Sequence, residues 1–160
     1  MFTKKDRATF KYTFAHWCAY NMTALNLGVW KPRYLLHDVE KPFLRILFGG
    51  DYTRVQAYHR NHNKHHMEYF LKYGVCDFDG MVIDYECSRF TKKAAPLNCM
   101  QEFQRQVMRL LDKKCPDDVI VTYYTNMEVA IKKAGLWNDK EDPYNAFSDA
   151  IKGKIINLKG

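Results

Sequence analysis

A histidine and an aspartate stand side by side at His37 and Asp38, directly after two leucines and shortly before Lys41. Neighbouring side chains on a helix diverge by about 100°, so one metal ion at a helix end or over a kink can contact both. Pro42 provides such a disturbance, because proline lacks an N–H and clashes with the preceding turn. An isolated pair of this kind is typical of a solvent-exposed surface, but here further candidate ligands lie on both sides of it. They are His16, His59, His62, His65, His66 and Asp84.

Four of these histidines, His59, His62, His65 and His66, fall within eight residues. Packing alone does not explain this density, because buried imidazoles need hydrogen-bond partners. On a continuous helix, His59 and His66 share one face with Asn63. Neutral imidazole combined with carboxylate is a ligand set that suits Mn, Fe, Co, Ni or Zn. We therefore interpret at least two of these histidines as ligands of a metal or a phosphate, with solvated side chains as the alternative for the others.

Asp84 is an acid inside the otherwise apolar stretch 82–85. A buried carboxylate is costly unless it is paired or bound to a metal, which favours a ligand role over a surface position. Arg89, five residues further on, is a candidate anion partner, and an exposed basic side chain is the alternative. His16 lies off the centre of the apolar stripe of the first helix, where a lone histidine is more often a partly buried bystander.

The composition places further bounds on the function. A hydrophobic fraction of 47% and a charged fraction of 27% are typical of a soluble globular protein, and 160 residues suit one domain. The net charge of +7 favours an anionic partner, either nucleic acid or a phosphorylated small molecule, with a merely basic surface as the alternative. Five scattered cysteines without a C-x-x-C pair give no sign of a zinc ribbon or a thioredoxin-type site. No signal peptide and no membrane-spanning apolar run are visible, so we expect a cytoplasmic protein.

Helix-capping and helix-breaking residues predict how these side chains are positioned. The pattern indicates an all-α, compact single-domain bundle of about six or seven helices, with loose termini at residues 1–5 and 154–160. The predicted helices cover residues 3–27, 32–49, 51–73, 81–91, 96–114, 116–134 and 142–153. Thr3 and Asp79 are predicted caps, and Asp51 caps the third helix. Residues 119–124 also have strand propensity, so a strand remains the alternative there.

Taken in order, four elements resemble the HD-domain superfamily of metal-dependent phosphohydrolases. They are His16, the string Leu-Leu-His-Asp-Val-Glu-Lys ending at Lys41, the histidine-rich segment 59–66, and Asp84. More narrowly, the chain is similar to a family of small bacterial and phage proteins of unassigned function that carry an H-x-x-x-N-x-H-H segment. The resemblance covers residues 12–89. It departs from the superfamily at Glu40, where glycine is usual, and in the short interval between the His-Asp pair and Asp84.

The resemblance implies a helical HD-like fold and a role for each matching residue. His16, His37, Asp38 and Asp84 would ligate one divalent ion. His59, with His65 or His66, would hold a second ion or contact phosphate, and Asn63 would orient a histidine or contact the substrate. Asp38 and Lys41 are the implied catalytic residues. The candidates for binding the substrate phosphate are Arg33, Lys41, Asn63 and Arg89.

The chemistry expected of such a site is phosphate-ester hydrolysis. A divalent ion, whether Mn, Fe, Co, Ni, Zn or Mg, lowers the pKa of a bound water towards about 7 and polarises the phosphoryl oxygen. Phosphoryl transfer otherwise requires positioning and charge stabilisation. We therefore expect a phosphohydrolase that acts on a nucleotide or another small phosphate ester, with one or two ions per chain and no membrane partner. No P-loop, G-x-S-x-G or Rossmann fingerprint supports another phosphate chemistry.

Two alternatives belong to other classes. One is a metal-dependent nuclease acting on DNA or RNA, because Asn61-His62-Asn63 superficially resembles the H-N-H type and the positive charge suits a nucleic-acid backbone. That class needs a hairpin that leads into a helix, and nothing around His59 has strand character. The other alternative is a catalytically degenerate HD fold that serves as a binding module. Glu40 and the short interval before Asp84, the two departures from the superfamily pattern, are compatible with such a binding module.

Overall fold

The computed structural model describes residues 4–92 and 96–159, and all regular structure in these two ranges is helical. The predicted all-α class is confirmed, and residues 119–124 are helical rather than extended. The predicted cap at Thr3 and part of the predicted loose termini lie outside the described residues. The α-helices are α1 Lys4–Asn26, α2 Lys41–Leu47, α3 Tyr52–His62, α4 Met67–Tyr73, α5 Phe78–Thr91, α6 Cys99–Asp112, α7 Asp117–Lys133 and α8 Asp149–Lys159. Short 3-10 helices cover Pro32–Leu36, Asp139–Glu141 and Pro143–Ala146.

Helix α5 lies at the centre of the fold, where α1, α6 and α7 pack against it. Its apolar residues are buried on several faces, as the continuous apolar run in the sequence requires. Met81 and Val82 contribute to the larger core, which contains buried residues from Met67 to Ile155. Ile83 and Cys87 face α1, where they form a smaller core with Tyr20. Because α5 is enclosed in this way, Asp84 is carried into the interior of the protein.

The prediction of one continuous second helix over residues 32–49 is wrong. This part of the chain contains two helices. It consists of the 3-10 helix Pro32–Leu36 and of α2, with a turn of four residues between them. Asp38 lies in this turn with a φ of 61°, a left-handed conformation that aspartate tolerates better than most residues. Pro42 sits in the first turn of α2, where a missing N–H removes no helical hydrogen bond. His37 and Asp38 therefore occupy a bend between two helices.

The third predicted helix is also divided in the structure. Helix α3 ends at His62, Asn63 is extended, and α4 begins at Met67. The predicted ends are confirmed, since Asp51 accepts a hydrogen bond from the Arg54 N–H (3.1 Å) and Gly74 ends α4 with a φ of 70°. The break therefore leaves His59 on α3 and puts His65 and His66 in the connecting segment 63–66.

The predicted last helix at residues 142–153 is divided in the structure. Asp142 caps the 3-10 helix Pro143–Ala146, and α8 begins only at Asp149.

Two further predicted helix starts lie at different residues. Asp77, rather than Asp79, caps α5 by accepting from the Gly80 N–H (3.2 Å). Helix α6 begins at Cys99 rather than at Pro96, because Asn98 and Gln101 form a capping box.

Residues 154–159 are helical instead of loose. Helix α8 passes through Gly153 and continues to Lys159, with Ile155 only 1% exposed. Lys159 forms an ion pair with Glu128 of α7. Glycine has a low helix propensity, so Gly153 predicted the end of the last helix. The apolar contacts of Ile155 and this ion pair stabilise the helix beyond that residue.

None of the helices in the two described ranges has both the length and the apolar composition that a membrane span requires.

Candidate metal centre

Five imidazoles and two carboxylates converge where α1, the turn at residues 37–40, α3, the segment 63–66 and α5 meet. All seven residues predicted as metal ligands are in this cluster, which we call the His/Asp cluster. Its members are His16, His37, Asp38, His59, His65, His66 and Asp84. Five of them are buried, and His66 and Asp84 are partly accessible. The turn and the break that interrupt the predicted helices are the two features that direct His37, Asp38, His65 and His66 towards the common centre.

One half of the His/Asp cluster consists of His16, His37 and Asp84. The His16 Nε2 lies 3.0 Å from Asp84 Oδ1 and 3.2 Å from the His37 Nε2. The His37 Nε2 is 3.8 Å from the same Asp84 oxygen. Donor atoms that sit about 2 Å from a transition-metal ion lie roughly 3–4 Å from each other, so these three atoms have the spacing of a ligand set.

The other half consists of His59, His65 and His66, with Asp38 between the two halves. The His59 Nε2 is 2.7 Å from the His66 Nε2 and 3.0 Å from Asp38 Oδ1. The same Asp38 oxygen lies 3.9 Å from the His65 Nε2 and 3.6 Å from the His37 Nε2. Asp38 Oδ1 is therefore placed where both halves can share it.

Two buried atoms of the cluster lack a hydrogen-bond partner among the residues that the structure describes. They are Asp38 Oδ1 and His65 Nε2. A buried polar atom without a partner is costly, and buried carboxylates are normally paired or bound to a metal. Imidazole nitrogen and carboxylate oxygen together form a donor set that accepts first-row divalent ions. The residues present therefore fit a metal ion.

Electrostatics keep four of the candidate ligands in the protonation states that can bind a metal ion. Burial lowers the pKa of His37 and of His66 well below the usual value, so both imidazoles are neutral near pH 7 and have a lone pair to donate. Burial alone would raise the pKa of Asp38, but the neighbouring His37 and other partners hold it well below its usual range. The pKa of Asp84 is likewise held low, against the effect of burial, by its hydrogen bond with His16. Both carboxylates are thus ionised.

Glu40 and Asn63 orient the His59 ring from outside the cluster. Glu40 Oε1 hydrogen-bonds to the His59 Nδ1 and also accepts from the Asn63 side-chain amide at 2.9 Å. Burial lowers the pKa of His59, but the adjacent carboxylates of Asp38 and Glu40 outweigh this effect and raise it. An ion that binds at His59 Nε2 therefore displaces a proton. Asn63 contacts His59 and Glu40, as expected of a residue that orients a histidine.

Lys41 is buried and donates a hydrogen bond to Asp38 Oδ2. This contact leaves Asp38 Oδ1 facing the histidines. Burial lowers the pKa of Lys41, but the carboxylate of Asp38 more than compensates and raises it, so the side chain is a cation. The structure therefore places Lys41 against a candidate acidic ligand, and its positive charge offsets the negative charge of Asp38.

A cavity of about 440 Å³ opens over the His/Asp cluster, with His66 and Asp84 in its wall. Four basic side chains line it, and two of them come from α6. They are Arg60, Lys92, Arg105 and Arg109. Glu68 and Glu102 also line the cavity. This volume is within the range of about 300–1,000 Å³ that is common for small-molecule sites.

A second cavity of about 310 Å³ reaches the cluster from another side. Arg33 and Asn63 line it together with His37 and His65, and Arg33 forms an ion pair with Asp77 at 2.7 Å. Two of the four predicted phosphate-binding residues, Arg33 and Asn63, thus lie next to the cluster.

Arg89 does not lie at the His/Asp cluster. Its guanidinium pairs with Glu86 at 2.9 Å and lines a separate cavity with Asn98. The geometry does not support the predicted phosphate contact, because Arg89 projects from the helix face of Glu86 rather than from that of Asp84.

The Asn61-His62-Asn63 sequence does not form an H-N-H site. His62 is exposed and bonds to the Tyr58 carbonyl at 2.7 Å, and Asn61 is bonded to the carbonyl of Ala57. Residues 4–92 and 96–159 contain no hairpin on which such a site is built.

Several residues at the site were not found from the sequence. In the sequence Glu40 stands out only as a departure from the superfamily string, although its position two residues after Asp38 is a local signal. Arg105 and Arg109 have the four-residue spacing of a shared helix face, but nothing in the sequence connects them to distant histidines. Arg60 and Tyr20 likewise have no sequence signal that separates them from ordinary surface and core residues.

Compared with protein-family models, with curated proteins and with solved structures, the chain has no significant match. Its function therefore has to be inferred from the geometry of the His/Asp cluster and of the cavity above it.

Proposed function

We propose that this protein is a metal-dependent phosphohydrolase with a centre of HD-domain type, and that it acts on a nucleotide or another small phosphate ester. The observation that carries the proposal is the environment of Asp38 Oδ1. This buried oxygen has no hydrogen-bond partner in the described part of the chain, yet the Nε2 atoms of His59, His37 and His65 lie 3.0, 3.6 and 3.9 Å from it. A carboxylate oxygen in such surroundings is best completed by a cation.

The two halves of the His/Asp cluster define two candidate ion positions. His16, His37 and Asp84 would hold one ion, and His59, His65 and His66 the other, with Asp38 available to both. A divalent ion in this setting supplies Lewis-acid chemistry, which polarises a phosphoryl oxygen and lowers the pKa of a water to about 7.

The protein's own side chains would provide positioning and charge. Asp84 is ionised and reachable from the 440 Å³ cavity, so it stands where a substrate phosphate would meet the centre. Arg60 and Lys92 line the same cavity and would offset the negative charge of the phosphate. Lys41 keeps one oxygen of Asp38 occupied and thereby holds the other towards the histidines.

Metal content and phosphate release test this proposal together. The purified protein, reloaded with Mn, Co or Zn, should hold one or two ions per chain and release phosphate from at least one member of a panel of nucleotides and sugar phosphates. His37→Ala and Asp38→Asn should lose metal and activity. Asparagine is chosen at position 38 because it tolerates the left-handed backbone there. His62→Ala removes an exposed histidine of the same segment and should retain both properties.

Two results would count against the proposal. A protein that binds no metal would exclude the centre itself. Bound metal without phosphate release from any panel member would instead favour a non-catalytic binding module.

A further inference from the structure

Two arginines of α6 stand in the wall of the 440 Å³ cavity, although α6 contributes no residue to the His/Asp cluster. Arg105 and Arg109 are four residues apart and project from the same helix face. Arg105 donates a hydrogen bond to Glu102 Oε1 and Arg109 donates one to Gln106 Oε1, each at 2.7 Å. These bonds hold both guanidinium groups in defined positions on one wall of the cavity.

The hydrogen bonds to α6 use only part of the donor capacity of the two arginines. A guanidinium carries five N–H donors, and the side chains of Arg105 and Arg109 are 54% and 41% exposed. The next acid, Glu68, is 4.0 Å from Arg109, which is too long for a hydrogen bond. The two arginines therefore present N–H groups to the cavity that a ligand can use.

The same wall contains an acceptor that the described residues leave unsatisfied. Glu102 Oε2 is buried without a hydrogen-bond partner, while Glu102 Oε1 receives hydrogen bonds from Arg105 and from Gln106. Buried acceptors of this kind are completed by water or by a ligand donor. The wall formed by α6 thus has both donors and an acceptor available, as expected of a binding surface.

We propose that the substrate carries a second phosphate, which Arg105 and Arg109 bind while the first phosphate lies against His66 and Asp84. This inference rests on the proposed function, because it takes the His/Asp cluster as the place where the ester is cleaved. Guanidinium groups match the oxygens of a phosphate with paired N–H donors. Because the ions and Arg60 would already serve the first phosphate, the unused N–H donors of the two α6 arginines are available to a second one. The substrate class is therefore a small molecule with two or more phosphates.

Binding of inorganic pyrophosphate and orthophosphate to the metal-loaded protein tests this inference without requiring turnover. Calorimetric titrations are run with the metal in excess, so that pyrophosphate does not strip the centre. Pyrophosphate should bind at least about tenfold more tightly than orthophosphate. Arg105→Ala and Arg109→Ala should each weaken pyrophosphate binding about tenfold, the usual effect of losing a charge-assisted hydrogen bond. Orthophosphate binding should stay within about twofold.

Arg89→Ala is the matched control. Arg89 pairs with Glu86 three residues before it, as Arg105 pairs with Glu102, but Arg89 lines a different cavity. Its replacement should change neither affinity. Circular dichroism and metal content verify that each variant is folded and loaded.

The inference is overturned if the two anions bind equally well, or if Arg105→Ala behaves like Arg89→Ala. A different result would show that the proposed function fails while this inference holds. Arginine-dependent pyrophosphate binding without hydrolysis of any ester would refute the phosphohydrolase activity and would still support the second phosphate site.

Discussion

The phenol ring of Tyr20 lies flat against the imidazole of His37, with 3.5 Å between the ring centroids and 10° between the ring planes. The Tyr20 hydroxyl donates a hydrogen bond to the carbonyl of Gly80 on α5 at 3.2 Å. Tyr20 is only 1% exposed, so it has little freedom to move. A residue of α1 that is anchored on α5 thus determines the plane of a candidate ligand in the turn at residues 37–40.

Removal of this stacked ring should weaken metal binding. Tyr20→Leu keeps an apolar side chain but leaves the His37 ring free to turn, and loss of such support typically costs about 10–100-fold in metal affinity. Tyr20→Phe retains the stacked ring and should bind metal nearly as well as the wild type. Competition with a chromophoric chelator measures both affinities. Equal affinities for the two variants would show that Tyr20 does not position His37.

Glu40 should be required for the half of the cluster that contains His59. Its carboxylate accepts from the His59 Nδ1 and so directs the Nε2 towards Asp38. Glu40→Ala removes this acceptor, and we expect about a 10–100-fold loss of metal affinity. Glu40→Gln retains an oxygen that accepts the same hydrogen bond and should lose much less.

Metal stoichiometry at limiting metal concentration identifies which ion is affected. The ion at His59, His65 and His66 should be lost first, while the ion at His16, His37 and Asp84 should remain. If Glu40→Ala and Glu40→Gln bind metal with equal affinity, Glu40 does not act through the orientation of His59.

The residue types of the cluster could be predicted from the sequence, but the backbone that assembles them could not. Helical periodicity continues across residues 63–66, so a local interpretation favours one helix. A long-range hydrogen bond contributes to the break, since the Asp77 N–H donates to the Lys64 carbonyl at 2.7 Å. The left-handed conformation of Asp38 could not be predicted from the sequence either. It is stabilised by partners such as His59 and Lys41, which only the folded chain brings together.

The cavity above the cluster could be predicted from the sequence even less well than the cluster itself. Arg105 and Arg109 follow Asp84 by more than twenty residues, and the pattern of α6 indicates only an amphipathic helix. Their place in the cavity wall follows from the packing of α6 against α5, which is tertiary information. The helical conformation of residues 154–159 is tertiary information too, because the burial of Ile155 outweighs the low helix propensity of Gly153.

Gly80 should be intolerant of a side chain, because α1 and α5 approach closely there. A Cβ at this position would lie 2.8 Å from Asp77 Oδ2 and 3.1 Å from the Tyr20 hydroxyl. Neither neighbour can move easily, since Asp77 caps α5 and pairs with Arg33 while Tyr20 is stacked on His37. The steric cost of overpacking, about 1–3 kcal/mol, should exceed the gain of about 1 kcal/mol in helix propensity.

Gly80→Ala should therefore lower the free energy of unfolding, and it should also weaken metal binding through Tyr20. Urea denaturation and chelator competition measure the two effects. Gly153→Ala provides the matched control within a helix, because a Cβ there meets nothing within 4 Å. It should stabilise the protein or leave it unchanged. A Gly80→Ala protein as stable as Gly153→Ala would contradict the close approach.

Glu128 should make the docking of α8 sensitive to acid. Its side chain is 7% exposed and pairs with Lys132 at 2.6 Å and with Lys159 at 2.5 Å. Burial alone would raise the pKa of Glu128, but the two ammonium groups lower it below the usual value. A carboxyl group whose pKa is lower in the folded state stabilises the protein fully above its unfolded pKa of about 4.3. That contribution is lost as the pH falls through the lower folded value.

The expected result is a difference between wild type and Glu128→Gln that depends on pH. At pH 7 the variant should be less stable by about 1 kcal/mol, a modest value because both lysines are about half exposed. The difference should shrink below about pH 4, where the wild-type carboxyl group becomes protonated and resembles the amide. Urea denaturation at several pH values measures it, with Asp112→Asn, at an exposed acid, as the control. If the gap between wild type and Glu128→Gln is the same at pH 7 and pH 3, the ion pairs with Lys132 and Lys159 do not stabilise the fold.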